Sequence, residues 1–301
     1  MEQDRFAVVD IGSNSLRLLQ GTCDEKGHWQ FLPKELATTR LGYDIENTGR
    51  LSPAGMEDSF AAMAAWKEKI GTIPVCAVAT SAVREAKDGQ AFLAEVRARF
   101  GWRCRAVTGL EEAAYSFRGA AAAAGDKLAA VIDIGGGSTE FALGRNGQAA
   151  WSHSYPFGAV RSGGKTQTFE ECVAQQEECL PEWLPLPVQP EIVIGVGGTL
   201  TSLAAMELQL DPYDPKRVEG CVIPAERITY WIDTLTAMTA EERRHVKGLQ
   251  PRRSDIIVAG LVIAHSCLTA YNIPSLTISE QDLLEGVFYS GAFQDAAWFN
   301  R

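Results

Sequence analysis

The segment VVDIGSNSLRLLQGT begins at Val8 and AVIDIGGGSTEFALG begins at Ala130. The chain therefore writes strand, Asp-Ile-Gly, small polar loop and returning strand twice, around Asp10 and Asp133. One copy would read as a tight hairpin with a capping aspartate. Two copies in the same order predict a duplicated fold with a site between the halves. A length of 301 residues exceeds the usual single-domain size, in keeping with two domains.

The remaining pattern alternates strands and helices. In the first half, residues 6–11 and 16–22 read as a strand hairpin, and residues 55–70 as a helix with Met56, Phe60, Met63 and Ile70 on one face. A buried strand follows at 75–79, a helix at 90–100, a strand at 103–107 and an Ala-rich helix at 111–124, stopped by Gly125. The grammar repeats from Leu128: a hairpin around Gly135 to Gly137, a helix over 169–180, an apolar strand at 192–196 and a turn through Gly197 and Gly198 into another helix. Pro224 opens a further helix, and Ser254 or Asp255 is positioned to cap a buried one over 256–267. The predicted fold class is α/β, divided into residues 1–125 and 126–282.

Composition narrows the function classes. Hydrophobic residues at 46% and charged residues at 22% describe an ordinary soluble globular chain. The longest apolar stretch, residues 256–264, is too short to span a bilayer, and no basic-then-apolar leader opens the sequence. A cytoplasmic protein with no membrane partner is expected. The net charge of −10 argues against DNA as a partner, because duplex binding needs a basic surface. A small or linear polyanion stays allowed, since clustered arginines or a bound cation reverse the potential locally. The seven cysteines form no Cys-x-x-Cys pair, and Cys172 and Cys179 read as thiols on one helical face. His28, His153, His245 and His265 show no ligand spacing.

The repeated loops suit phosphate. Gly12 allows close backbone approach, and the amides and hydroxyls of Ser13, Asn14 and Ser15 can donate to phosphate oxygens. Asp10 would repel phosphate unless a cation lay between them, which points to a divalent metal, magnesium by its preference for carboxylate and phosphate oxygens. In the second copy Gly135, Gly136, Gly137, Ser138 and Thr139 make a more permissive loop, while Asp133 and Glu140 add carboxylates.

With these loops come ATSAVREA at 79–86, VTGLEEAAYSFRGA at 107–120, FGAVR at 157–161, GVGGTLTSLAA at 195–205 and PRRSDIIVAG at 251–260. In this order the motifs resemble the exopolyphosphatase/guanosine pentaphosphate phosphatase (Ppx/GppA) family of the actin-like ATPase superfamily, over nearly the whole chain. The resemblance implies two actin-like domains facing a cleft, with a last helix over 283–301 packing back on the first domain. It implies metal-dependent hydrolysis of the terminal phosphoanhydride of inorganic polyphosphate or guanosine pentaphosphate. The residues leave Glu111 and Glu112 open as the acid acting on the attacking water; the resemblance selects Glu112. It also gives Asp133 and Glu140, with Asp10, as metal-associated acids. Gly135, Gly136, Gly137 and Ser138 become the phosphate cradle, beside Ser13, Asn14, Gly197 and Gly198. Arg17, Arg84 and Arg253 become cationic phosphate contacts.

The chain departs from the family pattern at DLLEG, 282–286, where the family often has GLREG. Asp282 and Leu284 replace a glycine and an arginine, removing an expected cation and with it part of the hold on long polyphosphate. The ending at Arg301 implies a short, two-domain form without the helical domains of long members. Two other readings stand beside hydrolysis: an ATPase or kinase of the same superfamily using GVGGT against nucleotide, and a non-catalytic sensor of guanosine tetra- or pentaphosphate. A homodimer is left open.

Overall fold

A computed structural model describes residues 5–162, 183–294 and 298. The helix expected over 169–180, with Cys172 and Cys179, lies outside the described residues.

Two six-stranded sheets are built to one plan. In the first, β1 (Arg5–Ile11) pairs antiparallel with β2 (Ser15–Cys23), which also carries β3 (Trp29–Phe31) and β4 (Glu35–Thr38). On its other side β1 runs parallel to β5 (Val75–Ala79), and β5 to β6 (Arg103–Ala106). In the second, β7 (Ala129–Ile134) pairs antiparallel with β8 (Thr139–Arg145), and β8 with β9 (Gln148–Tyr155). Across from them β7 runs parallel to β10 (Ile192–Val196), β10 runs parallel to β12 (Ser275–Ile278), and β11 (Val222–Pro224) closes that edge. The central strands β1, β5 and β7 are buried almost throughout, as strands covered on both faces must be.

The helices cover these sheets: α1 (Pro53–Ile70), α2 (Ser81–Glu85), α3 (Gly89–Phe100), α4 (Gly109–Ala120), α5 (Gly197–Glu207), α6 (Ala225–Thr236), α7 (Ile257–Ala270) and α8 (Leu283–Ser290), besides shorter turns. Some expectations need correction. The buried stripe of α1 is Gly55, Ser59, Met63, Trp66 and Ile70, because Ser52 caps the helix and Pro53 starts it, turning Met56 and Phe60 to the margin. The Ala-rich helix ends at Ala120 and tightens into a 3₁₀ turn over Ala121–Ala124 before Gly125. Neither Ser254 nor Asp255 caps α7: the Ser254 hydroxyl donates to the Pro251 carbonyl, and Asp255 pairs with Arg40. The last helix stops at Ser290, where Gly291 takes the left-handed conformation, rather than running on toward residue 301.

The helix α8 is buried on Leu283, Leu284, Val287 and Phe288, which join Val8 and Leu19 of the first sheet. At about 1.5–3 kcal/mol for each fully buried large side chain, this face anchors the end of the chain to the first half. It also meets α4 at two glycines. A Cβ on Gly286 would collide with the Tyr115 carbonyl, and one on Gly119 with the Asp282 carbonyl. This backbone-to-backbone contact fixes the position of α4.

Candidate active site

The register of the two hairpins places Asp10 opposite Arg17 and Asp133 opposite Glu140. Each aspartate is the penultimate residue of a central strand, so its side chain stands at the sheet's edge above the loop that follows. The loops close on each other. A Cβ on Gly137 would lie 2.5 Å from Ser81 Oγ and 2.7 Å from Ser13 Oγ, so only glycine lets the second loop pass the first.

Between the halves lies a cavity of about 590 Å³. Its walls include Asp10, Ser13, Asn14, Arg17, Glu112, Asp133, Gly135, Gly136, Gly137, Ser138, Gly197, Gly198 and Arg253. The amides of Ser13, Asn14, Gly136 and Gly137 have no acceptor among the described residues, which leaves a ring of donors suited to an anion. The N-terminus of α5, through Gly197 and Gly198, adds the positive end of a helix to the same wall. Gly198 has a second reason to be glycine: a Cβ there would strike the Arg253 guanidinium.

Glu112 sits in the first turn of α4, buried. The helix is started by a Thr108–Glu111 capping box, and Arg105 pairs with Glu111 from below. The adjacent acids thus have separate work: Glu111 holds the helix end, and Glu112 faces the cavity. Burial pushes the Glu112 carboxyl up to about 8, against Arg84, whose Nη1 donates to Oε2 at 2.8 Å. Arg84 also donates to the Val107 carbonyl at 3.0 Å, so it is fixed behind Glu112 and is not part of the cavity wall.

The other acids divide by half. Asp10 Oδ2 accepts from Arg17 Nε at 2.9 Å and Nη2 at 2.7 Å, and burial still raises its pKa. Arg17 reaches on to Asp282, so the expected phosphate contact already lies between two carboxylates. Asp133 accepts from Ser116 Oγ at 2.6 Å, and burial pushes it up to about 6. Glu140, behind Asp133, accepts from Ser154 Oγ at 2.7 Å, and burial followed by repulsion from Glu112 and Asp133 raises it well above the usual range. Arg253 has no carboxylate partner among the described residues; burial, then Arg17, lowers it to about 10.

No three acidic, histidine or cysteine side chains among the described residues are arranged to hold a cation unaided. Asp10 Oδ1 and Glu140 Oε2 are nevertheless buried without a hydrogen-bond partner. Buried polar atoms are normally satisfied. Hard oxygen donors with spare valence fit a magnesium ion that takes one or two carboxylates and completes its shell with water and phosphate.

Sequence reasoning missed Ser116, Ser154 and Lys34. Ser116 was findable, since it lies one helical turn beyond Glu112. Ser154 reaches Glu140 only through the register of β8 with β9, and Lys34 reaches Glu285, at 2.9 Å, only through the fold.

A family model of the Ppx/GppA phosphatase family matches residues 22–294. Exopolyphosphatase 2 of Mycobacterium tuberculosis is 30% identical, over 96% of this chain and 99% of its own length. A guanosine-5′-triphosphate,3′-diphosphate pyrophosphatase of Aeromonas salmonicida is 27% identical, over 94% of this chain and 58% of its own. Among solved structures, the Aquifex aeolicus member of the Ppx/GppA family superposes with a TM-score of 0.77 at 29% identity, covering 98% of this chain and 99% of that one. Fold, motif order and these likenesses agree: the chain belongs to the Ppx/GppA phosphatase family.

Proposed function

We propose that this chain hydrolyses the terminal phosphoanhydride of inorganic polyphosphate or guanosine pentaphosphate with the help of a divalent cation, releasing orthophosphate. The observation that carries the reading is Glu112: a buried carboxyl of raised pKa, held by Arg84, facing a cavity whose loops present unpaired amides. The amides of the two loops and the α5 N-terminus would grip the terminal phosphate and fix its orientation. Glu112, as carboxylate, would accept a proton from the water aligned with the leaving oxygen. Arg84 holds the carboxylate in one rotamer, so the basic oxygen does not wander. Arg253 would take charge building on the phosphate chain. Asp10 and Asp133, with Glu140 behind them, would hold magnesium, directly or through water. Bound there, magnesium would supply charge neutralisation at the phosphate oxygens.

Orthophosphate release by the purified chain with magnesium, from polyphosphate and from guanosine pentaphosphate in parallel, tests the proposal. Release from either supports it and ranks the substrates. ADP formation from ATP with neither substrate consumed would favour an ATPase, and binding of guanosine pentaphosphate without turnover would favour a sensor.

A further inference from the structure

The cavity wall formed by residues 31–36, Tyr213, Glu280, Asp282, Leu283 and Glu285 has an unusual charge balance. Among the described residues three cations line the cavity, Arg17, Lys34 and Arg253, against seven carboxylates, and Glu280, Asp282 and Glu285 come from one segment. Two of the cations are already engaged there. Arg17 is held between Asp10 and Asp282. Lys34 Nζ lies 3.4 Å from Asp282 and 2.9 Å from Glu285, and it donates to the Glu280 carbonyl.

Asp282 is the shared partner, and it is held firmly. It is the N-cap of α8, where Oδ1 accepts from the Leu284 amide at 3.1 Å while Oδ2 accepts from Arg17. The residue is buried, so water does little to screen its charge. Leu284, two positions on, is buried in the apolar cluster with Val8 and Val287 and offers the cavity no charge.

From this arrangement we infer that Asp282 restricts the chain to short phosphoanhydride substrates. The inference rests on the phosphatase reading and adds the substrate class. Every unit of a linear polyphosphate is anionic, so each additional unit within the cavity needs a cation or donor. The loop amides and Arg253 serve the terminal units. Asp10, Asp282 and Glu285 together outnumber Arg17 and Lys34, so Asp282 leaves that wall a net negative charge, and with Glu280 it adds repulsion against a longer chain. A triphosphate-sized substrate avoids that cost.

The test compares kcat/KM, per chain end, on tripolyphosphate and on long-chain polyphosphate with magnesium present. The wild type is expected to favour tripolyphosphate. Asp282→Asn keeps an oxygen for the Leu284 amide while removing the charge, so the long-to-short ratio should rise about tenfold, the scale of one partly screened charge contact. The gain should lie in KM for the long substrate, with kcat little moved, a split that a merely structural change would not give. Glu280→Gln, outside the helix cap, should shift the ratio the same way by less, and it decides the matter if Asp282→Asn does not fold. An unchanged ratio in the folded variants, or a wild type that favours the long polymer, overturns the inference. A wild type that releases orthophosphate from neither polyphosphate nor guanosine pentaphosphate overturns the phosphatase reading itself.

Discussion

The two hairpins place their aspartates alike and their partners differently. In the first, the residue opposite Asp10 is Arg17, so the buried carboxylate is given a cation by its own strand pair. In the second, the residue opposite Asp133 is Glu140, and the acid faces another acid. The spacing is the same, since Arg17 follows Asp10 and Glu140 follows Asp133 at equal intervals. One duplicated scaffold therefore yields a half whose charge is compensated internally and a half that needs a proton or a cation from outside. Burying acids is costly in both halves: burial raises Asp10 even beside Arg17, while Asp133 is pushed up to about 6 and Glu140, repelled by Glu112 and Asp133, well above the usual range.

The sharpest break of this comparison is removal of divalent cation. If the second half depends on one, excess chelator should abolish orthophosphate release and magnesium should restore it; full activity in chelator would refute the contrast. Next in size is Glu112→Gln, expected to lower kcat about a hundredfold or more with substrate still bound. Glu111→Gln is the internal control: Gln keeps the capping box and gives up the charge facing Arg105, a loss read as a lower melting temperature rather than lost turnover. Equal loss of turnover in both variants would remove Glu112 from its role.

Arg17→Ala probes the compensated half. It strands Asp10 as a buried acid and leaves Asp282 to Lys34, and removing one partner of a buried pair typically costs about 3–5 kcal/mol, measurable by denaturant unfolding. Arg253→Ala has no carboxylate to strand among the described residues, so it should raise KM by about tenfold while stability changes little. Lysine at position 253 should rescue poorly, for want of the planar fork.

The smallest effect is a pH effect. Glu112 has a folded pKa of about 8 against an ordinary 4.5, so the folded state holds a proton that the unfolded state has lost across that window. Stability should therefore fall as pH rises from 4.5 to about 8, while kcat/KM rises toward about 8 as Glu112 becomes a carboxylate. Glu112→Gln and Glu140→Gln should each flatten the fall in stability and raise the melting temperature by a few degrees at pH 8. Stability independent of pH over that window in the wild type would show that these acids are not buried as described.

Much of the site was legible because chemistry and backbone geometry coincide in the same few residues. The Asp-Ile-Gly loops announce themselves, since a strand, a turn and a close approach each demand particular residues in sequence. The N-terminus of α4 was legible only in part. Thr108 three residues before Glu111 spells a capping box, but nothing in the letters turns Glu112 to the cavity, because that depends on where Arg84 lies in space. The extent of the last helix was misjudged because its apolar residues continue beyond Gly291, and only the left-handed turn there ends it.

The sequence alone determined the duplicated α/β plan, the two phosphate-suited loops and the identity of the acids, since these depend on local propensity, glycine geometry and side-chain chemistry. Only the tertiary structure decided which charges cancel. Arg17 meets Asp282 across 265 positions, Arg40 meets Asp255 across 215, and Lys34 meets Glu285 only because α8 packs back on the first sheet. Electrostatic energy depends on distance and burial, and neither is written in the order of residues along the chain.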